Sequence, residues 1–345
     1  MKHNNTSISI VICTYNGADR IEKVLSCFKN QVNSEKIEWE IIVVDNNSTD
    51  HTYETVQNLS SEFGEKLKLV QERKQGLIHA RIKGYQSSKY SVISYIDDDN
   101  YVSDSWISNV HRIMSTHTDV GACGGYNKLY LDKNTVLPNW FEQFQDAYAL
   151  GGQDDLSESY VEHLWGSGLS IRRTILDILF TNNYSLLLHG RTGEGLASGE
   201  DSEIVYAIQI MNWKLFYDKK LKLQHHIGSH RFTFEYLKKL YHAFGTSQVD
   251  IVPYKSYLYT NSFFHNYLKY SQIWQVVYTI NSLKIIYFSA LYTVNLFSER
   301  KKQYTLFIIF ILSANKALYK RRDDYKKIFL HIKSLLKFKR VSDEN

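Results

Sequence analysis

The first hundred residues alternate two hydrophobic periods. Residues 7–13 form a β-branched apolar run, and residues 17–28 then space Ile21, Val24, Leu25 and Phe28 along one helical face. A second buried-strand run covers residues 39–44 and ends at Asp45. Ser48-Thr49-Asp50 then offers a cap for another helix. Residues 67–70 predict a third strand, Gly76 opens a helix to about residue 87, and residues 91–96 predict a fourth strand that stops at Asp97-Asp98-Asp99. Strands alternating with helices imply βαβ units and a mostly parallel sheet.

Such sheets place ligands beyond the carboxyl ends of their strands. Three strands here end in Thr14-Tyr15-Asn16, Asp45-Asn46-Asn47 and Asp97-Asp98-Asp99. Parallel strands point the same way, so the three clusters are expected on one rim. Beyond residue 120 the pattern loosens. Residues 120–131 read as a strand interrupted by glycines, and Trp165-Gly166-Ser167-Gly168 leads into another short apolar run. A glycine-rich loop over residues 188–199 (Gly190, Gly193, Gly195, Gly199) runs into a helix starting at Glu200-Asp201. Residues 213–217 and 221–225 predict two short strands, and residues 233–244 a helix. No internal repeat is evident.

Charge changes this picture in one place. The 345 residues carry a net charge of +5, yet 13 of the 41 Lys and Arg, against 4 of the 36 Asp and Glu, fall at or after Arg300. The remainder is slightly acidic, which argues against a nucleic-acid groove in the main body. Three cysteines without C-x-x-C spacing encode neither a disulfide framework nor a cysteine zinc site. The chain enters its first strand at once, with no signal-peptide core, so a reduced, cytoplasmic protein is expected.

Several residues are candidates for chemistry, each with a plainer reading beside it. Three adjacent carboxylates, Asp97, Asp98 and Asp99, repel one another unless something positive neutralises them, and a divalent cation bridging a diphosphate does so. They also suit a solvated acidic turn. Asp45 can accept hydrogen bonds from a base or a ribose, or simply close an Asx turn. Glu200 and Asp201 suit a general base delivered by a mobile loop, or acidic residues favoured by a helix N-terminus. His225, with His226 adjacent, is a competent metal ligand or a structural strand-end histidine. Gly76-Leu-Ile-His-Ala-Arg81 lacks the later glycines of a dinucleotide fingerprint, and no phosphate-binding G-x-x-x-x-G-K-[ST] loop occurs.

Taken in order, Val-Ile-Cys-Thr-Tyr-Asn16, Ile-Val-Val-Asp45-Asn-Asn-Ser-Thr-Asp50, Gly76-Leu-Ile-His-Ala-Arg81, Tyr-Ile-Asp97-Asp-Asp99-Asn and Gly199-Glu-Asp201-Ser-Glu resemble a family 2 nucleotide-sugar glycosyltransferase with the α/β GT-A fold. The resemblance covers about residues 7–245. It implies a Rossmann-like, mostly parallel sheet flanked by helices, with a nucleotide-binding half (1–120), an acceptor-binding half (121–245) and a helical, basic tail (246–345). It implies that Thr14, Tyr15 and Asp45 line the nucleoside pocket of a UDP-sugar, and that Arg81 approaches its phosphates. Asp97 and Asp98 would stand beside the nucleotide, and Asp99, with His225, on Mn²⁺ or Mg²⁺. Trp165, Gly166, Gly168 and Glu200 would serve the acceptor side, and Asp201 would be the base of an inverting displacement. A glycan or lipid-linked glycan acceptor, in cell-surface polysaccharide biosynthesis, is the expected partner. A sugar-nucleotide nucleotidyltransferase would need a glycine-rich basic loop after the first strand, where Thr14-Tyr-Asn-Gly-Ala stands. A non-catalytic nucleotide-binding scaffold would not need the carboxylates.

In the tail, residues 273–297 are largely apolar but contain Gln275, Asn281, Lys284 and Asn295, so a clean membrane span is not expected. Residues 305–312 are too few to cross a bilayer. Residues 324–340 put Tyr325, Ile328, Phe329, Ile332, Leu335 and Leu336 on one helical face with Lys and Arg elsewhere. This composition suits an interfacial helix on anionic lipid at the cytoplasmic face of a membrane, a helical lid packing on the catalytic domain, or a dimer contact.

Overall fold

The computed structural model describes residues 6–152, 157–181, 184–188, 190, 196, 199–259, 271–295, 297–298 and 300–340. Gly193 and Gly195 of the glycine-rich loop, and the start of the aromatic stretch at 263, lie outside them. The described residues divide into two units. The first comes from Met1–Ser185 and Trp213–Ser229, the second from Leu186–Gly190, Gly195–Asn212 and His230–Asn345.

In the first unit the chain runs β1 (Ile8–Thr14), α1 (Ile21–Ser26), β2 (Trp39–Asp45), α2 (Thr52–Phe63), β3 (Leu67–Gln71), α3 (Leu77–Ser87) and β4 (Val92–Asp97). It continues with β5 (Asn100–Val102), α4 (Trp106–Thr116), β6 (Val120–Tyr130), β7 (Glu158–Val161), β8 (Ser170–Arg172), α5 (Arg173–Leu179) and finally β9 (Lys214–His226). Among the described residues the sheet order is β3-β2-β1-β4-β8-β6-β9-β5, with β7 on β9. The ladders β3-β2-β1-β4 are parallel, as expected. From β8 onward the sheet is mixed, because β8 pairs antiparallel with both β4 and β6.

The alternation within β1 shows why these strands are apolar throughout. Ile8, Ile10 and Ile12 pack with Ile21, Val24, Leu25 and Phe28 and with Trp106, Ile107, Val110 and Ile113 in one core. Val11 faces the other way, against α3, where a Cβ on Gly84 would lie 2.2 Å from its Cγ1. Both faces of the sheet are covered, so both phases of the strand must be apolar.

The two short strands expected at 213–217 and 221–225 are the single strand β9. Gly125 of β6 is level with Asp218 and Tyr126 with Lys222, so residues 219–221 bulge out of the ladder. Buried Asp218 anchors the bulge by pairing with Arg112 of α4 and accepting the Lys220 amide at 2.7 Å.

The second unit is helical: α6 (Glu200–Ile210), α7 (Phe234–Leu258), α8 (Trp274–Val294), α9 (Arg300–Lys320) and α10 (Tyr325–Lys333), followed by a 3₁₀ turn at Ser334–Phe338. The helix expected at 233–244 extends to Leu258, through residue 245 and past Pro253. A proline inside a helix forfeits one backbone hydrogen bond. Burial of Val249, Ile251 and Tyr254 around it offsets that loss. A Cβ on Gly245 would lie 2.1 Å from the Phe310 carbonyl oxygen, so α7 and α9 meet backbone to backbone there.

The amphipathic stretch 324–340 is helical as expected, but its apolar face is not free to enter lipid. Tyr325, Ile328, Phe329, Ile332 and Leu335 are buried within the unit, and Tyr257 of α7 donates to the Phe329 carbonyl at 3.0 Å. That face packs within its own unit. Among the described residues no helix is long and apolar enough to cross a membrane.

Candidate active site

Strand register builds the rim. Thr14 lies level with Asp45 and Cys13 with Asp97, so the carboxyl ends of β1, β2 and β4 stop together. The Thr14 hydroxyl donates to Asp98 Oδ2 at 2.7 Å, and Arg20 Nη2 reaches the same oxygen at 3.2 Å. Burial, and then the charge of Asp99, push the Asp98 carboxyl up to about 6 against the opposing pull of Arg20 and Thr14. Asp98 is thus an internal tie between the ends of β1 and β4. Gly17 sits against this tie: a Cβ there would lie 2.3 Å from Thr14 Oγ1 and 2.5 Å from Asp98 Oδ2.

Asp45 is buried and accepts the Ser48 amide at 3.1 Å through Oδ1. This bond spans three residues, one more than an Asx turn, and closes the chain onto Asp45 as it leaves β2. Its neighbour Asn46 ties the end of β2 to the segment 72–76 between β3 and α3. Its side-chain amide donates to the Glu72 and Lys74 carbonyls at 3.0 and 2.9 Å, and its oxygen accepts from Gly76 at 2.8 Å. Tyr15, at 38% exposure, is the open aromatic ring on this rim. Arg81 is buried in α3 with its guanidinium 5.6 Å from the centre of the Tyr95 ring.

The short β5 turns the acidic segment toward β9. Asp97 accepts from the Asn100 side chain at 3.2 Å, and Asn100 is level with His225. His225 Nε2 lies 3.7 Å from Asp99 Oδ2, with both side chains largely buried. That is too long for a hydrogen bond. Two ligands each about 2.1 Å from one cation stand up to about 4.2 Å apart, so the pair fits a shared divalent ion. Among the described residues no three His, Cys, Asp or Glu side chains form a complete metal cluster. The pair would hold a cation only with further oxygens from a ligand or water. Geometry also separates the adjacent histidines: His226 turns to Asp132 at 2.9 Å and stacks on Tyr101.

On β8's approach, Gly168 has φ +73, and a Cβ there would lie 2.6 Å from the Trp106 ring and 2.7 Å from Leu223. Only glycine suits both demands. Gly166 and Ser167 are buried, and Ser167 accepts from Asn127 at 2.6 Å. Trp165 meets His163 edge-on at 5.6 Å.

Glu200 and Asp201 belong to the second unit. Gly199, at φ +111, caps α6. Asp201, half-buried in the first turn, accepts the Ser202 amide at 2.8 Å. Glu200 is buried against Gly190. Glu203 is fully buried and accepts from the Leu187 and Leu188 amides at 2.8 Å each and from the Tyr254 hydroxyl at 2.5 Å.

The structure thus brings Thr14, Asp45, Asp97, Asp98, Asp99 and His225 together in the first unit. Arg20, Gly17 and Glu203 were not anticipated, whereas Asn46 belongs to the expected rim cluster Asp45-Asn46-Asn47. Arg20 had a signal, a lone cation just after β1. Glu203 had one too, a carboxylate one turn past Glu200 and followed by Ile204 and Val205.

The sequence profile of glycosyl transferase family 2 matches residues 9–178. Glycosyltransferase AglE of Haloferax volcanii is 30% identical over 114 residues, 33% of this chain and 37% of that protein. Dolichol-phosphate mannosyltransferase of Pyrococcus furiosus is 33% identical over 121 residues, 35% of this chain and 34% of that one. The chain thus spans little more than a third of the length of these curated relatives. Among solved structures, GalNAc-T7 with UDP, GalNAc and Mn²⁺ superposes with a TM-score of 0.53 at 17% identity, covering 76% of this chain and 53% of that one.

Proposed function

We propose that the chain is a member of glycosyl transferase family 2, whose profile matches residues 9–178 on a GT-A fold, and that it is a metal-dependent inverting glycosyltransferase. Its donor is a nucleotide-sugar, a UDP-sugar by analogy with the UDP of the solved relative. Its acceptor is a hydroxyl of a glycan or lipid-linked glycan in cell-surface polysaccharide assembly. The lipid-linked class is motivated by the dolichol-phosphate relative. The observation that carries the reading is the Asp99–His225 pair at 3.7 Å beside the rim of Thr14, Asp45 and Asp97.

In this reading Thr14, Tyr15 and Asp45 bind the nucleoside, Asp45 taking the base through its remaining acceptor capacity. Buried Arg81 supplies positive potential to the phosphate side. Asp97 faces the ribose. Asp98 keeps the rim in register through Thr14 and Arg20. Asp99 and His225 would hold Mn²⁺ or Mg²⁺, which when bound offsets the charge of the departing diphosphate. Trp165, Gly166, Gly168 and Glu200 shape the acceptor side. Asp201 takes the proton of the acceptor hydroxyl as that oxygen attacks the anomeric carbon from the face opposite the diphosphate, inverting the centre. The domain assignment of residues 1–245 to catalysis and 246–345 to a membrane-associated tail at the cytoplasmic face is part of the same proposal.

The test is UDP release by the full chain from a panel of UDP-sugars, with Mn²⁺, with Mg²⁺ and with chelator. Release from at least one donor, abolished by chelation, is expected. No release from any donor under any metal overturns the reading.

A further inference from the structure

Two tail helices carry apolar faces that meet different fates. The apolar face of α10 is buried, whereas α8 touches its own unit along one side only. That side packs on α9: Val277 is buried, Phe288 meets Phe307 at 5.2 Å, Trp274 meets Tyr319 at 6.3 Å, and Asn315 donates to Ser282 at 3.2 Å. The opposite side is apolar and open. Leu283 is 61% exposed, Ile286 67%, Tyr287 60%, Val294 83%, and Phe297, just past the helix end, 104%. With exposed Ala290 these positions recur every three or four residues, so they form one stripe. The five large side chains leave on the order of 500 Å² of apolar surface open, at the upper end of what a monomer carries.

We propose that this outer stripe of α8, ending at Phe297, is the surface by which the protein lies on an anionic lipid bilayer. Charge selects the occupant. Arg300, Lys301 and Lys302 open α9 immediately beyond Phe297, with Glu299 as the one acid between. Lys301 is held 5.6 Å from the centre of the Tyr292 ring, beside the end of the stripe. A second copy of the chain would bring the same cations against themselves. An anionic headgroup layer attracts them, while the stripe enters the acyl boundary. The aromatic rings of Tyr287 and Phe297 suit that depth. Among the described residues no helix is long and apolar enough to cross, and α8 lies in the plane of the interface. The inference rests on the membrane-surface part of the proposed function and moves its contact from α10 to α8.

The test is flotation of the full chain with phosphatidylcholine vesicles, with and without phosphatidylglycerol. Flotation is expected only with the anionic lipid, and high salt weakens it. Leu283→Glu with Ile286→Glu, and separately Val294→Ser with Phe297→Ser, each lower the bound fraction about tenfold or more. Because all four positions are exposed, both pairs leave the circular dichroism spectrum unchanged. Arg300→Gln, Lys301→Gln and Lys302→Gln together remove most of the dependence on anionic lipid. If the wild-type chain does not float, both this inference and the membrane-surface reading fall. If it floats and the stripe variants float equally, the stripe inference alone falls. A wild-type dimer that the stripe variants dissolve, without vesicle binding, also overturns it. UDP release to a soluble acceptor stays at wild-type level in the variants, so a failure of the transfer reaction itself is read separately.

Discussion

Glu203 is a carboxylate that the fold buries at a measurable cost, and replacing it with glutamine exposes that cost. Burial raises it from 4.5 to about 7, against the lowering effect of the Leu187 amide, the Tyr254 hydroxyl and the Leu188 amide. A carboxyl raised in the folded state binds its proton more tightly there than in the unfolded chain. Its contribution to stability is therefore complete below pH 4.5 and lost as pH rises through about 7. A shift of this size corresponds to about 3 kcal/mol. Glu203→Gln keeps the shape and removes the titration. Its amide nitrogen would face the Leu188 N–H, a donor against a donor, costing about 1–2 kcal/mol at every pH. Urea unfolding of both proteins isolates the titrating part, because other ionisable groups cancel in the difference. Between about pH 5 and about pH 8 the stability gap moves by about 2–3 kcal/mol in favour of the variant. A gap that stays constant over that range refutes the claim that Glu203 is held neutral by burial.

Other substitutions test the site directly. Asp201→Asn lowers sugar transfer by about 10²–10⁴-fold, as loss of a general base does, while calorimetric affinity for UDP stays near wild type; a variant that keeps most of its turnover removes Asp201 from that role. Asp99→Ala and His225→Ala each weaken Mn²⁺-dependent UDP binding by about tenfold or more, and unchanged calorimetry with UDP and Mn²⁺ excludes the pair as metal ligands. Gly17→Ala forces Thr14 and Asp98 apart and lowers stability by about 1–3 kcal/mol, as overpacking does; an unchanged melting temperature shows that the tie between β1 and β4 yields freely.

The rim was legible because its strands are buried on both faces. Continuous runs such as Ile-Ile-Val-Val before Asp45 leave little doubt about direction or ending, and parallel register follows from the intervening helices. The joining of β9 was not legible. Its halves read as separate strands, because residues 219–221 leave the ladder and their bulge is set by Gly125, far away in sequence. A Cβ on Gly125 would lie 1.9 Å from the Leu221 carbonyl oxygen. The choice between His225 and His226 was hidden for the same reason, since register on β5 decides it. Periodicity likewise showed an apolar face on the 324–340 stretch but could not show what covers it. The face proved to be buried, while the less regular α8 keeps its stripe open.

The interruption in β9 also governs where the gene for this protein can change length. Its two halves keep independent alignment on β6, so a codon gained or lost at Lys219 or Lys220 leaves the register of both halves in place, whereas Leu221 is fully buried and has to stay. Loss of a codon between Lys222 and His225 would instead advance the strand beyond it by one place, carrying the second imidazole to the first one's station. Drift in length is thus tolerated at Lys219 and Lys220 and penalised within the stretch that leads from there to the paired histidines.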